Sequence, residues 1–524
     1  MRKKRIFFLL LLLFSLVGCK AETKKSMEEK EKDTVIVTMP VSSEPEAGLN
    51  PVYGWGAGEH THEPLIQSTL FVTTNDLQID YDLATDYSVS EDGMIWTVSI
   101  RKDAFFTDGE KVTAEDVAFT YNTCKQNSSV NDFTMLHHAE AIDKETVVFY
   151  MTRPFSVWPY TMALVGIVPE HAYTSSYGEN PIGSGKYILK QWDKGQQMIL
   201  EANANYYGNV PAIKNVIVLF MEEEISLAAA QAGQVDVSYT SATYADISVP
   251  NYALYSVVSL DNRGINLPAQ PKQEKDGILY GNDVTSDIAV RRAINLALNR
   301  ESILSNILNG YASPAYSICD NTPWYQDAQV PYDLEQAKEL LDNAGWTLGK
   351  DGIRSKNGVR AAFSILYPPS DSIRQGIAEE FSNNMKEIGL EVTPECVGWD
   401  TAYDLAQSQP LVWGWGAHTP MELYNIYHSQ NGENARYSPY HNKAVDKYME
   451  EALKSTDLEN SYSLWKKAQW DGVTGIIQDV PWVWICNVEH LYFVKQGLTI
   501  PEQKIHPHGH GWSLLNNVDT WTWQ

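Results

Sequence analysis

The chain has 524 residues, 44% of them hydrophobic, and carries a formal charge of -26. The length is too great for one hydrophobic core, and the composition is that of an ordinary globular protein, so two or three domains are expected. So acidic a balance argues against the basic face that nucleic-acid binding requires.

Four basic residues, Arg2, Lys3, Lys4 and Arg5, precede an unbroken apolar run from Ile6 to Phe14. A membrane span needs roughly 20 apolar residues, so the run reads as the n-region and h-region of a removed signal. Leu16-Val17-Gly18-Cys19 follows and is similar to a lipobox, in which cleavage before Cys19 leaves a thiol that receives a diacylglyceryl group. A plain secretory signal with an incidental cysteine stays open beside that reading. Loss of residues 1–18, which hold the four basic residues and no acidic ones, moves the formal charge from -26 to -30. Lys20 to Asp33 is charged and without aromatics, the composition of a disordered tether.

Strand-like runs at Thr34 to Met39, Thr146 to Met151, Asn215 to Phe220, Phe363 to Tyr367 and Leu390 to Glu395 are interleaved with helical periods, which argues an α/β fold. Between Asp92 and Asn122 a strand with Met94, Trp96, Val98 and Ile100 on one face leads through a turn at Thr107-Asp108-Gly109. Thr113 and Asp116 then offer a capping box, weak because Asp is shorter than Glu, to a helix with Val117, Ala118 and Tyr121 on its apolar face. Further on, Asp333 caps a helix closed by Gly345, and Ile373, Ile377, Phe381, Met385 and Ile388 mark a longer one ended by Gly389. Cys124, Cys319, Cys396 and Cys486 are far apart and form no CxxC, so free, mostly buried thiols are expected rather than a metal site.

The strand, F-x-D-G and T-A-E-D-V-A-F of the first unit resemble the extracytoplasmic solute-binding proteins of ABC importers, in the large peptide and nickel family. Pro181 to Tyr207, Gln231 to Ser238, the VRRAINLALNRESI helix, Tyr332 to Trp346 and Leu49-Asn50-Pro51 resemble further blocks of that family, in its order. The resemblance implies a two-lobed α/β periplasmic-binding-protein-like fold with a hinge of two crossing strands. Lobe I would take residues 34–265, with an extra subdomain at about 76–179; lobe II would take 266–482, and 483–524 would return to lobe I. The crossings are expected near Arg263-Gly264-Ile265-Asn266 and near Trp482 to Asn487.

The resemblance also implies a monomeric, lipid-anchored receptor on the extracytoplasmic face that hands an oligopeptide, a dipeptide or a nickel chelate to permease and ATPase subunits. The chain would catalyse nothing and hold no cofactor, nickel being at most its cargo. A secreted hydrolase, or a surface sensor or adhesion lipoprotein on the same scaffold, are the alternatives. The first lacks a G-x-S-x-G or H-E-x-x-H motif.

For the solute, the segment Trp413-Gly414-Trp415-Gly416-Ala417-His418-Thr419-Pro420 stands where peptide binders of the family carry an Asp for the peptide amine, and its acidic residues are missing. Glu422 is a possible replacement. His60 and His62 lie in the N-terminal loop that approaches the cleft in this family, and with His418 they form a candidate ligand set for a borderline divalent ion. Trp413, Trp415 and Tyr427 are candidate walls. Polar loop histidines without a metal remain the plainer alternative, and the tract His506-Pro507-His508-Gly509-His510 is as readily a structural loop. Arg153, Arg263 and Arg436 are expected in salt bridges more than on a ligand carboxylate.

Overall fold

In the computed structural model, which describes residues 33–54, 62–128, 131–275, 277–430, 437, 439–509 and 511–524, the valine-rich strand Thr34–Met39 runs through the middle of a seven-stranded sheet. Its parallel neighbours are Asn215–Phe220 and Val237–Thr240. Val35 and Val37 are fully buried on one face, and Ile36 packs into a second cluster on the other. Two covered faces are the usual reason for so apolar a run. Beyond these neighbours the sheet adds the hairpin of Tyr187–Asp193 and Gln197–Ala202 at one edge, and Tyr252–Val257 with His490–Lys495 at the other. The chain therefore comes back into its first sheet after residue 489.

A second sheet holds Asn262–Asn266 between Trp482–Val488 and Val412–Trp413, with Ala312–Pro314 outside. Both segments expected to cross between lobes thus lie side by side, antiparallel. Around this sheet, Ile288–Ala297 packs on Leu334–Asn343, and Ser372–Lys386 covers the parallel pair Ala362–Tyr367 and Glu391–Cys396. The caps are those the sequence offers: Asp333 accepts from Gln336 N at 2.9 Å, and Gly345 follows the helix at φ 86.

Between residues 84 and 151 a separate antiparallel sheet of four strands carries the helix Ala114–Asn127. Trp96, Val98 and Ile100 point inward, and Ile95 is exposed. Asp116 serves the helix start more fully than its length suggested. One oxygen accepts from Thr113 N at 3.0 Å, and the other from Glu170 N at 3.0 Å. This unit shares its apolar core with the helices Lys443–Lys454 and Leu458–Gln469. Ser156 joins them by donating its hydroxyl to Ala452 O at 2.8 Å. Cys124, Cys319 and Cys486 are buried, Cys396 is exposed, and all four are free.

Candidate functional site

Asn262 and Asn266, both fully buried on an inner strand of the second sheet, hold the segment that lines the site with their side chains. Asn262 Oδ1 accepts from Trp415 N at 3.1 Å, while its backbone N donates to Trp415 O at 2.9 Å. Asn266 Oδ1 accepts from Leu411 N and from Trp413 Nε1 at 2.7 and 3.1 Å, and its amide donates to the carbonyls of Ala406 and Tyr437. All four of its bonding positions are satisfied, as a buried amide requires.

The glycines of this segment are there for space. A Cβ at Gly414 would lie 2.8 Å from an Arg263 nitrogen and 2.9 Å from an Arg374 nitrogen. Gly416, at φ 149, passes so close to Leu260 O that a Cβ would stand 2.0 Å from it.

The Trp413–His418 segment lines a cavity of about 530 Å³. The volume falls in the range of sites that enclose a small organic ligand. Trp399, Tyr403, Trp413, Trp415 and Tyr437 form its aromatic side. Trp413 packs at 5.0 Å from Trp415 and edge-on to Tyr437 at 4.8 Å, so the indoles hold one another in place. Tyr427, expected among the walls, does not reach the cavity. It is 1% exposed and its hydroxyl accepts from Trp484 Nε1 at 2.9 Å, so it supports the second sheet from behind.

The polar side is drawn from distant segments: His62, Glu63, Arg374, His418, Glu422 and His508. His418 Nε2 donates to the Ile505 carbonyl at 2.8 Å, which fixes the tautomer and leaves the lone pair on Nδ1. Burial, and then the Lys504 ammonium, push this imidazole down to about 4, against the pull of Glu63. Glu63 would be raised by its own burial, but Lys504, bound at 2.7 and 2.8 Å, holds it below the usual carboxylate range. His62 Nδ1 stands 3.3 Å from Ser513 Oγ, and His508 reaches Asp261, which also binds Arg263 and His490. Arg263 is therefore in a buried ion pair. Arg153 lies over the Tyr424 ring at 6.0 Å.

Arg374 is not among the residues that the sequence motifs point to. It sits in the first turn of Ser372–Lys386, where the helix dipole disfavours a cation, and that misfit is the signal it gives. Asp371 pairs with one of its nitrogens, its guanidinium carbon lies 5.6 Å from the Trp399 ring centre, and Nε finds no partner among the described residues. Burial and the adjacent Arg263 lower its pKa, with Asp371 opposing. A guanidinium has more N–H donors than one carboxylate oxygen can take, so Arg374 retains donors for an acceptor in the cavity.

The structure thus brings His62, Trp413, Trp415 and His418 to one cavity. His60, Arg436 and Cys19 lie outside the described residues. Among the described residues no group of three or more His, Cys, Asp and Glu side chains stands ready to hold a metal ion.

Residues 78–437 match the model of the bacterial extracellular solute-binding proteins, family 5 Middle. The chain is 27% identical to the oligopeptide-binding protein AppA of Bacillus subtilis over 90% of its own length and 89% of that protein. It is also 27% identical to the nickel-binding periplasmic protein of Escherichia coli, over 73% of this chain and 74% of that one. Among solved structures, NikZ of Campylobacter jejuni in complex with Ni(L-His) superposes with a TM-score of 0.75 at 23% identity, covering 94% of this chain and 99% of that one.

The depressed His418 pKa makes stability depend on pH. The unfolded imidazole, near 6.5, takes a proton before the folded one at about 4, so stability is complete above pH 6.5 and falls as pH drops toward 4. Because the residue as a whole is only half-buried, the share expected is about 1–2 kcal/mol. Urea unfolding of ligand-free protein at several pH values should show a shallower acid loss in His418→Gln than in the unsubstituted chain. Parallel curves would contradict the assignment.

Proposed function

Because the chain belongs to the bacterial extracellular solute-binding proteins of family 5, we propose that it is the lipid-anchored receptor of an ABC importer and that its cargo is a nickel ion carried by a small carboxylate chelator. The observation that carries this reading is His418, a neutral imidazole that lines the cavity with Nε2–H fixed on a backbone carbonyl. A histidine that binds metal ordinarily donates its other ring N–H in this way. Among the described residues His418 has no cluster of three donors around it, and His60 lies outside them. A chelated ion needs only one or two protein ligands to complete its shell.

The surroundings support the chelate. Arg374 has donors to spare for a carboxylate, a charge-assisted and orienting contact. The indoles of Trp413 and Trp415 offer flat apolar faces to the organic part of a complex. A nonapeptide drawn out at ~3.3 Å per residue would span roughly 30 Å, whereas a cavity of about 530 Å³ suits a compact ligand. Glu422 also lines the cavity and gives the amine of a short peptide a place to bind, which keeps a dipeptide as the reading to be beaten.

Delivery would follow closure. A ligand that touches both lobes stabilises the closed form by as much as its affinity for closed exceeds that for open. The lipid on Cys19 would keep the body beside its permease. If so, Cys19→Ser moves the protein from the membrane fraction to the medium or periplasm, and an unchanged partition would rule the anchor out.

The cargo is tested by calorimetry on the purified mature chain. Nickel with L-histidine is expected to bind under conditions where L-histidine alone does not. His418→Ala and Arg374→Ala should each weaken the complex by about tenfold or more, equivalent to ~1.4 kcal/mol. Tight binding of dipeptides, with no response to the nickel complex, would overturn the cargo and leave the receptor reading standing.

A further inference from the structure

The subdomain built on residues 84–151 carries a pair of histidines outside the lining of the cavity described above. His137 and His138 are consecutive in the strand Leu136–Asp143, and in a regular strand consecutive side chains point to opposite faces. Here the register with the neighbouring strand shifts between Leu136 and His138, so that one extra residue, His137, is accommodated. A bulge of this kind turns two successive side chains toward the same side. The result is that the two Nδ1 atoms face each other at 2.7 Å, with the rings edge-on at 4.9 Å.

The frame around the pair is well held. The His138 ring stacks on Tyr150 at 4.5 Å with 6° between planes. On the far side of the bulge, Asn122 pairs with Ala139 in both directions, donating to its carbonyl and accepting from its N–H, each at 2.8 Å. Lys125 is occupied by the His137 carbonyl. His137 is exposed and His138 half-buried, so the pair is open to solvent.

We propose that His137 and His138 form a two-imidazole chelating site for a borderline divalent cation of the nickel, copper or zinc class, separate from the cleft. Two nitrogens bound to one such ion at about 2.0–2.1 Å stand about 3 Å apart when adjacent in its shell. The observed 2.7 Å is therefore a few tenths of an ångström from a metal-bound geometry. In the metal-free pair one Nδ1 proton bridges the two nitrogens. Binding moves that proton, by exchange with solvent, to Nε2 of the same ring, so that both neutral imidazoles present an Nδ1 lone pair to the ion, with water in the remaining positions. Imidazole selects for this class of ion over magnesium or calcium. The proposal stands on the strand geometry and is independent of the cargo assigned to the cleft.

The test is equilibrium dialysis of nickel sulfate, without chelator, against the full mature chain, His137→Ala, His138→Phe and the double variant. Phe at 138 keeps an aromatic ring for Tyr150, and equal thermal midpoints verify that each variant is folded. The unsubstituted chain is expected to bind one more nickel ion than the double variant. Each single change should weaken that ion by on the order of tenfold or more, because the second imidazole binds intramolecularly. Equal stoichiometry and affinity in all four chains would overturn the site. So would a single variant that binds the ion as tightly as the unsubstituted chain, since the chelate requires both rings.

Discussion

The strand Asn262–Asn266 is the constraint on which the rest depends. It pairs on one side with Trp482–Val488 and on the other with Val412–Trp413, while its two asparagine side chains hold Leu411, Trp413 and Trp415 by their N–H groups. The two to Asn266 are buried and the one to Asn262 is partly so, and a buried amide left without its partner costs about 1–3 kcal/mol. The strand cannot shift by a residue without exposing several such groups at once. It therefore fixes the Trp413–Gly416 segment, and with it the aromatic side of the cavity, more firmly than any single contact of the cavity wall.

Function builds on that fixed segment by adding polar groups from elsewhere in the chain. His418 reaches back to Ile505, Glu63 to Lys504, and His508 to both Gly416 and Asp261. These bonds tie the Trp413–His418 segment to the N-terminal loop and the C-terminal stretch. In a receptor that starts mostly open, moving the balance from 1:99 to 99:1 takes about 5.5 kcal/mol of differential binding. With the proposed cargo, one or two metal bonds, a carboxylate on Arg374 and the indole faces would be the contacts to supply it.

Much of the scaffold is legible in the chain. The valine-rich strand at 34, the alternation through Trp96, Val98 and Ile100, and the Asp333 and Gly345 stops all stand in local patterns, and local patterns are what periodicity and capping rules detect. The family resemblance, carried by blocks spread from Leu49 to Trp346, agrees with the match over residues 78–437. The site is another matter. Trp413, Trp415 and His418 were visible because the WGWGAH segment departs from an expected motif, and His62 because of its loop. Arg374, Glu63, Trp399, Tyr403 and Tyr437 were not, since they come together only through the fold and each looks locally like an ordinary helix or loop residue. Tyr427 misled for the same reason: a tyrosine near a cleft motif is on the wall or behind it according to helix phase. The helix Met421–Tyr427 turns it toward Trp484.

The central claim is that His418 completes the shell of a chelated nickel ion in the cleft. It is tested most directly by a crystal structure grown with nickel and L-histidine, with anomalous difference density recorded at the nickel edge. The account predicts a peak inside the aromatic cavity about 2 Å from His418 Nδ1, with a chelator carboxylate on Arg374. Ligand density without a nickel peak, or a nickel ion whose shell leaves His418 out, would contradict it.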